Sequence, residues 1–202
     1  DFKEPTVCIE ELDDKPFSFM LENDYNTFSE LMNREDVCIV PLTSRSLHQV
    51  KRLDFKQKEF PYLLYSNGGC LLTNGEFDED WYNESLSLIE NCKAGLELAR
   101  SYLLYNPKRI FEVRFIDNLW LFTKISDTES AKKDLETILN PNLFDIKCKR
   151  NKIYVIPKVL DKAYAIKRLE KKLRSKVTIA GGDSDLDISM FREVNIGVAP
   201  TT

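Results

Sequence analysis

Two aspartates four residues apart, Asp183 and Asp187, lie just beyond an apolar run in the stretch VTIAGGDSDLDISMF, residues 177–191. Val177, Thr178, Ile179 and Ala180 read as a buried strand, and Gly181 and Gly182 permit a sharp turn. Ser184 is placed to cap a helix carrying Asp185, Asp187, Ile188, Met190 and Phe191. Carboxylates at the carboxyl end of a strand suit a hard cation such as Mg²⁺, which takes oxygen ligands and commonly shares them with a phosphate. Open α/β sheets bind ligands at that end. The same residues also read as an acidic helix start favoured by the helix dipole. A calcium loop is excluded, because its sixth position would be Ile188 instead of glycine and its twelfth Val194 instead of glutamate.

Other polar residues follow apolar runs in the same way. Glu11 and Asp13 come after Thr6–Ile9, and Thr43, Ser44 and Arg45 come after Val37–Leu42. Lys162 opens a further amphipathic segment. Phosphoryl transfer uses such a set: carboxylates for a metal, a hydroxyl and a lysine for the phosphate oxygens, and a carboxylate that moves protons. Each residue also has a plainer reading. Thr43 can be a strand-end or capping residue, Lys162 a solvated lysine and Asn67 a turn residue. Arg45 can pair with a surface acid, and Glu11 and Asp13 can belong to an acidic loop. His48 is the sole histidine and reads as a surface residue, so no Ser/His/Asp triad can be assembled.

The elements that must position these residues alternate between strand and helix at both ends of the chain. Thr6–Ile9, Val37–Leu42 and Tyr62–Tyr65 read as strands, and the segments around Asn26–Met32 and Leu47–Leu53 as helices, the latter capped by Ser44 or Ser46. Ser66–Gly69 is a turn into Cys70–Leu72. After Pro157 the pattern resumes with a helix over Asp161–Leu173, a strand ending at Ala180, a helix, and a strand over Asn195–Ala199. This is the rhythm of a parallel sheet. Between them, Glu84–Tyr105 reads as one long amphipathic helix. Ile110–Phe115 and Leu119–Ile125 form a hairpin around Asp117-Asn118, Glu129–Leu139 is a helix, and Phe144–Lys147 with Lys152–Ile156 is a second hairpin. The expectation is an α/β chain: a core of residues 1–75 and 157–202, with residues 76–156 inserted as an α+β block on an antiparallel sheet. Trp81 and Tyr82, at the entrance to that block, read as a packing contact.

Composition fits a globular domain, with 43% hydrophobic and 31% charged residues. A net charge of −4 argues against a broad nucleic-acid surface, and basic runs such as KRLEKKLRSK (167–176) are interleaved with acid and apolar residues, as on a solvated helix face. No apolar run approaches the length of a membrane span. The five cysteines, Cys8, Cys38, Cys70, Cys92 and Cys148, are scattered and never form a CxxC pair, which disfavours a zinc or disulfide framework and suits a reducing cytoplasm. Asp1 is not a methionine, and the numbering is read as that of a trimmed chain.

Taken together, AGGDSDLDISMF, VPLTSRS, YSNGG and YVIPKVLDKAYAIKRL resemble, in order and spacing, the motifs of the haloacid-dehalogenase superfamily of phosphohydrolases. The likeness is to the branch with a cap between its second and third motifs, which includes sucrose-phosphate and mannosyl-phosphoglycerate phosphatases. The resemblance implies a Rossmann-like core with a parallel sheet, an inserted cap with an antiparallel sheet, and Mg²⁺-dependent hydrolysis of a small phosphorylated metabolite, sugar phosphates included. It implies metal ligation by Glu11, Asp13, Asp183 and Asp187. Glu11 would be the attacking carboxylate and Asp13 the acid/base. Thr43 and Lys162 would bind the phosphoryl oxygens, and Ser44, Arg45 and Asn67 the substrate. Where the family has Asp-x-Asp-x-Thr, this chain reads Glu11-Leu12-Asp13-Asp14-Lys15. That departure supports a second expectation, a catalytically silent binding or regulatory protein on the same fold. A phosphotransferase would share the same residues. Oligomeric state is not encoded in these patterns.

Overall fold

The computed structural model describes residues 4–54, 60–105 and 110–200. The chain begins with a hairpin: β1 (Thr6–Leu12) and β2 (Lys15–Leu21) pair antiparallel through a turn at Asp13 and Asp14, both with positive φ (53° and 58°). Short acidic side chains tolerate this left-handed geometry, which matches the twist of a two-residue hairpin. The expected core strand over Thr6–Ile9 is therefore corrected. It is part of a separate two-stranded sheet, because Asp13-Asp14 turns the chain back on itself.

Helix α1 (Glu22–Met32) follows, then an extended segment at residues 38–42, and the short α2 (Leu47–Val50), closed by a capping box between Ser46 and Gln49. β3 (Tyr62–Tyr65), β4 (Cys70–Thr73) and β5 (Glu76–Phe77) form an antiparallel sheet, and Leu42 bridges Leu64 in parallel. Residues 37–42 were expected to be a buried strand. They are extended but only partly buried or exposed, because their backbone pairs on one side only, with the Leu64 strand.

α3 (Glu79–Leu88) and α4 (Lys93–Leu104) replace the single long helix expected over Glu84–Tyr105. A 3₁₀ turn at Glu90–Cys92 separates them. Ser85, Ser87, Asn91 and Cys92 crowd this region with weak helix formers, so the tighter turn competes. β6 (Ile110–Ile116), β7 (Trp120–Ile125), β8 (Phe144–Lys149) and β9 (Lys152–Pro157) form an antiparallel sheet in the order β6-β7-β9-β8, with α5 (Thr128–Ile138) between the two hairpins. Asp117 and Asn118 both have positive φ, as their turn requires. Leu96, Ala99 and Leu103 of α4 and Ala131 and Leu135 of α5 pack with Leu119, Leu121, Ile153 and Val155 in the largest apolar core.

α6 (Lys162–Leu173) then returns to the first half of the chain, with Asp161 capping it through Tyr164 N–H. β10 (Ile179–Gly181) pairs in parallel with β11 (Ile196–Val198), and α7 (Ile188–Phe191) lies between them in sequence. The strand expected to begin at Val177 begins at Ile179. It is not fully buried: Ala180 is enclosed, whereas Val177 and Ile179 are 64% and 62% exposed. Trp81 joins α3 to α6. Its indole donates to Gly68 O at 3.0 Å, its ring carries the Arg168 guanidinium 3.8 Å from the centroid, and it packs with Leu64, Leu71, Ala165 and Leu169. Among the described residues no helix is long and apolar enough to cross a membrane.

Glu10 fastens the hairpin to the rest of the chain. It is 1% exposed, and its carboxylate accepts from Arg45 (2.8 and 3.1 Å), Arg52 (3.1 Å) and the Ser18 hydroxyl (2.8 Å). Burial pushes its pKa up, but the hydrogen bonds from Arg45, Ser18 and Arg52 outweigh this and hold it below the usual range. A carboxyl lowered in the folded state stabilises the fold above its unfolded pKa of about 4.3. That contribution is lost as pH falls through the lowered value. Glu10→Gln should therefore lower stability by about 1–3 kcal/mol at neutral pH. In urea titrations the gap from the unmodified chain should narrow below about pH 4.

Candidate functional site

The site is built where the carboxyl ends of two strand pairs meet. Leu42 ends the extended segment beside β3, and its carbonyl faces α6. Asp187 lies in the loop after β10. Lys162, in the first turn of α6, donates from Nζ to Leu42 O at 3.4 Å and makes a hydrogen-bonded ion pair with Asp187. Both side chains are buried, at 8% and 5% exposure. Lys162 thus joins the two pairs at one end.

Asp187 is held from several directions. Its Oδ2 accepts from the Ser184 hydroxyl at 2.7 Å and from the amides of Ser184 and Asp183 at 3.0 and 3.2 Å. Burial alone would raise its pKa. The Lys162 and Ser184 bonds and the Lys162 charge overcome it and hold the carboxylate ionised below its usual range. The loop comes this close because residue 182 is glycine: a Cβ there would stand 2.5 Å from Asp187 Cβ. Ser184 therefore serves Asp187 rather than capping a helix at this point, and α7 starts only at Ile188.

The loop after β3 supplies the other wall. Asn67 and Ser66 both take positive φ, and Gly68 follows at φ +88°. A Cβ on Gly68 would stand 2.3 Å from Ala165 Cβ, so glycine lets this loop rest against α6. Asn67 N–H donates to Thr43 O and its Nδ2 to Leu160 O, both at 2.8 Å. Asn67 Oδ1 is buried without a hydrogen-bond partner. Thr43 Oγ1 accepts from Arg45 N–H at 3.2 Å, which leaves its hydroxyl hydrogen free to turn towards a ligand.

A cleft of about 290 Å³ opens here between Asn67 and Lys162 on one side and Asp145 and Lys147 of β8 on the other, with Asp185 and Arg192 at its edge. Neither Lys147 nor Arg192 is in an ion pair among the described residues, and they share the cleft with the carboxylates of Asp145, Asp161 and Asp185. Neither stood out in the sequence. Lys147 alternates within an ordinary strand and Arg192 follows a short helix, and only the tertiary fold brings them together.

Of the residues expected to form a site, Thr43, Asn67, Lys162 and Asp187 converge, Asp183 is exposed at the end of β10, and Ser44 continues the loop from Thr43. Three expectations are corrected. Glu11 and Asp13 are exposed at the hairpin turn, where they pair the backbone of β1 with β2 or shape the turn. The four-carboxylate metal set is not assembled, since no group of three metal-capable side chains converges among the described residues. Arg45 is taken by Glu10 and so is directed to the hairpin. The buried acid of the first segment is Glu10, one residue from the expected one. A β-bulge between Glu10 and Glu11 breaks the simple alternation that would have distinguished them.

Residues 32–200 match the family model of the haloacid dehalogenase-like hydrolases. No curated protein matches the chain in sequence. Among solved structures, the sucrose-phosphatase from Synechocystis sp. PCC6803 in complex with sucrose and phosphate superposes with a TM-score of 0.60 at 14% identity. The match covers 78% of this chain and 67% of that one. A trehalose-6-phosphate phosphatase related protein superposes at 0.55 with 18% identity, covering 93% and 79%. A haloacid dehalogenase-like hydrolase from B. subtilis superposes at 0.56 with 18% identity, covering 88% and 81%. At these identities the likeness is one of fold.

The Lys162–Asp187 pair is testable by a double-mutant cycle. Asp187→Leu leaves a buried ammonium without its counter-charge and should cost about 3–5 kcal/mol. Lys162→Met with Asp187→Leu removes both charges. Urea denaturation should give the double variant a loss at least about 1 kcal/mol smaller than the sum of the two single losses.

Proposed function

Because the chain belongs to the haloacid dehalogenase-like hydrolases, we propose that its site binds the phosphoryl group of a small phosphorylated metabolite, sugar phosphates included, and serves phosphomonoester hydrolysis. In this reading residues 76–156 act as the cap and the remainder as the core. The observation that carries it is the buried Lys162 beside Thr43 and Asn67, facing a cleft with two further cations.

The roles follow from hydrogen-bonding capacity. An ammonium has three donors. Lys162 directs one at Leu42 O and one at Asp187, which leaves the third for a phosphoryl oxygen. A charge-assisted bond from an ammonium to phosphate is about twice as strong as a neutral one. Thr43 contributes its hydroxyl hydrogen. Asn67 Oδ1, lacking a partner, accepts a ligand hydroxyl. Lys147 and Arg192 stand in the lining as further donors for an anionic ligand, beside the carboxylates of Asp145, Asp161 and Asp185.

The family implies Mg²⁺, and the residues at this site do not fit it unaided. Asp187 already serves Lys162, Ser184 and two amides, while Asp183 and Asp185 are exposed and no third carboxylate joins them among the described residues. No step is assigned to the metal. Among the described residues the carboxylate beside Lys162 is that of Asp187, already engaged by Ser184 and two amides, while Glu11 and Asp13 belong to the hairpin turn. That observation favours the second reading, in which these 202 residues bind a phosphorylated ligand without turning it over.

Inorganic phosphate titrated into the chain, followed by ³¹P NMR, tests the shared part of both readings. Saturable binding should weaken at least tenfold in Lys162→Met, a loss of about 1.4 kcal/mol or more. Lys147→Ala and Arg192→Ala should weaken it less. An aryl-phosphate assay with and without Mg²⁺ then separates the two: turnover supports hydrolysis, and binding without turnover supports the silent protein. Absence of phosphate binding overturns both.

A further inference from the structure

Helices cover one face of the four-stranded sheet. Leu121, Ile153 and Val155 turn towards α4 and α5 there and pack with Leu96, Ala99 and Leu135. Side chains alternate along each strand, and residues directly opposite each other in antiparallel strands share a face. The register therefore fixes what stands on the other face. Glu112 of β6 is opposite Lys124 of β7, Lys124 is opposite Lys152 of β9, and Lys152 is opposite Lys149 of β8. One row across the whole sheet thus carries Glu112, Lys124, Lys152 and Lys149 in that order. The neighbouring row carries Arg114, Phe122, Tyr154 and Lys147.

Lysines in consecutive register are an unfavourable arrangement. Directly opposed side chains have Cβ atoms about 4.5–5.5 Å apart, and like charges so placed repel. Glu112 relieves one end only, and it is shared: it pairs with Arg114 and lies 3.4 Å from Lys124 Nζ. Lys152 stands between two lysines, and among the described residues neither it nor Lys149 is in an ion pair. Strand lysines commonly guard an exposed edge against pairing with other chains. That accounts for Lys149, on the edge strand β8. It does not account for Lys124 and Lys152, because β7 and β9 are the interior strands of the order β6-β7-β9-β8. Lysine is also depleted in strands generally. Positive charge is concentrated here where neither strand pairing nor packing calls for it.

The surroundings suit an anion. Arg114 is held on the same face, its guanidinium 5.1 Å from the centroid of the Phe122 ring. Tyr154 packs edge-on against Phe122 at 5.6 Å. Burial pushes its pKa up, so the phenol keeps its proton and adds no negative charge between the rows. Lys149 lies two residues beyond Lys147 on β8, about 7 Å at the rise of a strand. Lys147 lines the cleft beside Lys162, whereas Lys124, Lys149 and Lys152 do not. The lysine row is a separate place on that face, and its side chains are exposed or partly exposed.

We propose that Lys124, Lys152 and Lys149 form an anion site, distinct from the cleft, that takes a phosphate-bearing group of two or more negative charges. Ammonium groups on flexible stems meet phosphate oxygens as compact point charges. A multiply charged group set among them exchanges the repulsion between neighbours for attraction to a shared centre, which a singly charged anion does less well. The group is either a second phosphate on the molecule held at the cleft or a free polyphosphate. Only the first of these sources rests on the proposed function.

The probe is inorganic tripolyphosphate, titrated into the 202-residue chain at low ionic strength and followed by calorimetry and by backbone amide shifts. Saturable binding is expected, with shifts at residues 124, 149 and 152. Inorganic monophosphate should shift the same amides only at concentrations about tenfold higher or more. Lys152→Gln should weaken tripolyphosphate binding about tenfold or more. The free variant should stay folded, with Tm unchanged or raised, because a repelled charge has gone. Lys152→Arg should keep the affinity within about threefold, since the charge is retained. Lys171→Gln makes the same change in net charge at an exposed position of α6 and should leave the affinity within about twofold. Further shifts at residues 67 and 184 identify a ligand that reaches the cleft, and shifts confined to the row identify a free polyphosphate. Three results overturn the proposal: full affinity in Lys152→Gln; an equal loss in Lys171→Gln, which makes the binding a matter of net charge; or a single-stranded oligonucleotide that binds more tightly than tripolyphosphate, with affinity rising with its length. A failed phosphate titration at Lys162 leaves the shifts at 124, 149 and 152 intact, so the two readings fail separately.

Discussion

A single buried lysine holds the candidate site together. Lys162 is enclosed, yet it reaches the carbonyl that ends one strand and the carboxylate that follows another. Burying a lysine is unfavourable unless its charge and donors are met. Here they are met by a carboxylate that is itself oriented by Ser184 and two amides. The pair fixes the spacing between Leu42 and Asp187, and thereby that between Thr43 and the loop after β10. Geometry at the cleft is inherited from this contact rather than from a continuous hydrogen-bonded ladder.

A second ionic centre does different work. Glu10 gathers Arg45, Arg52 and Ser18 and so fastens an otherwise two-stranded sheet, which would be marginal alone, to the loop that follows residues 38–42. The cost is that Arg45, close in sequence to Thr43, is turned away from the cleft. The basic residues at the cleft besides Lys162 are instead Lys147 and Arg192, far apart in sequence from Thr43 and from each other. Anchoring of the hairpin and lining of the cleft are thus divided between different basic residues.

The legible parts of the sequence were those in which local chemistry admits one conformation. Asp117-Asn118 marked a turn because short polar residues tolerate positive φ. Gly181-Gly182 marked a sharp turn after the strand, although Ser184, read as a helix cap, bonds Asp187 and the helix starts only at Ile188, and Lys162 stood out through the segment that resembles the family's motif. The hairpin turn at Asp13-Asp14 carried the same signal as Asp117-Asn118, but its acidic residues also matched a catalytic pattern, and that reading displaced the local one. Glu10 and Glu11 could not be told apart, because a bulge resets the alternation between them. Lys147 and Arg192 had no local signature at all, as their meeting depends on segments distant in the chain.

In a parallel sheet each interior strand is positioned by ladders on both sides, and ligands bind beyond the carboxyl ends of such strands. Here Leu42, beside β3, and the β10–β11 pair are joined through side chains: Ile166 packs against Leu42 and Ala180, and Lys162 links Leu42 O to Asp187. Side-chain contacts hold distance less tightly than a hydrogen-bonded ladder, and catalytic groups lose effect when displaced by about 1 Å. The lysine proposed to contact phosphate is thus the residue that sets the spacing of the two strand pairs, so a ligand drawing on its third donor would act on that spacing as well.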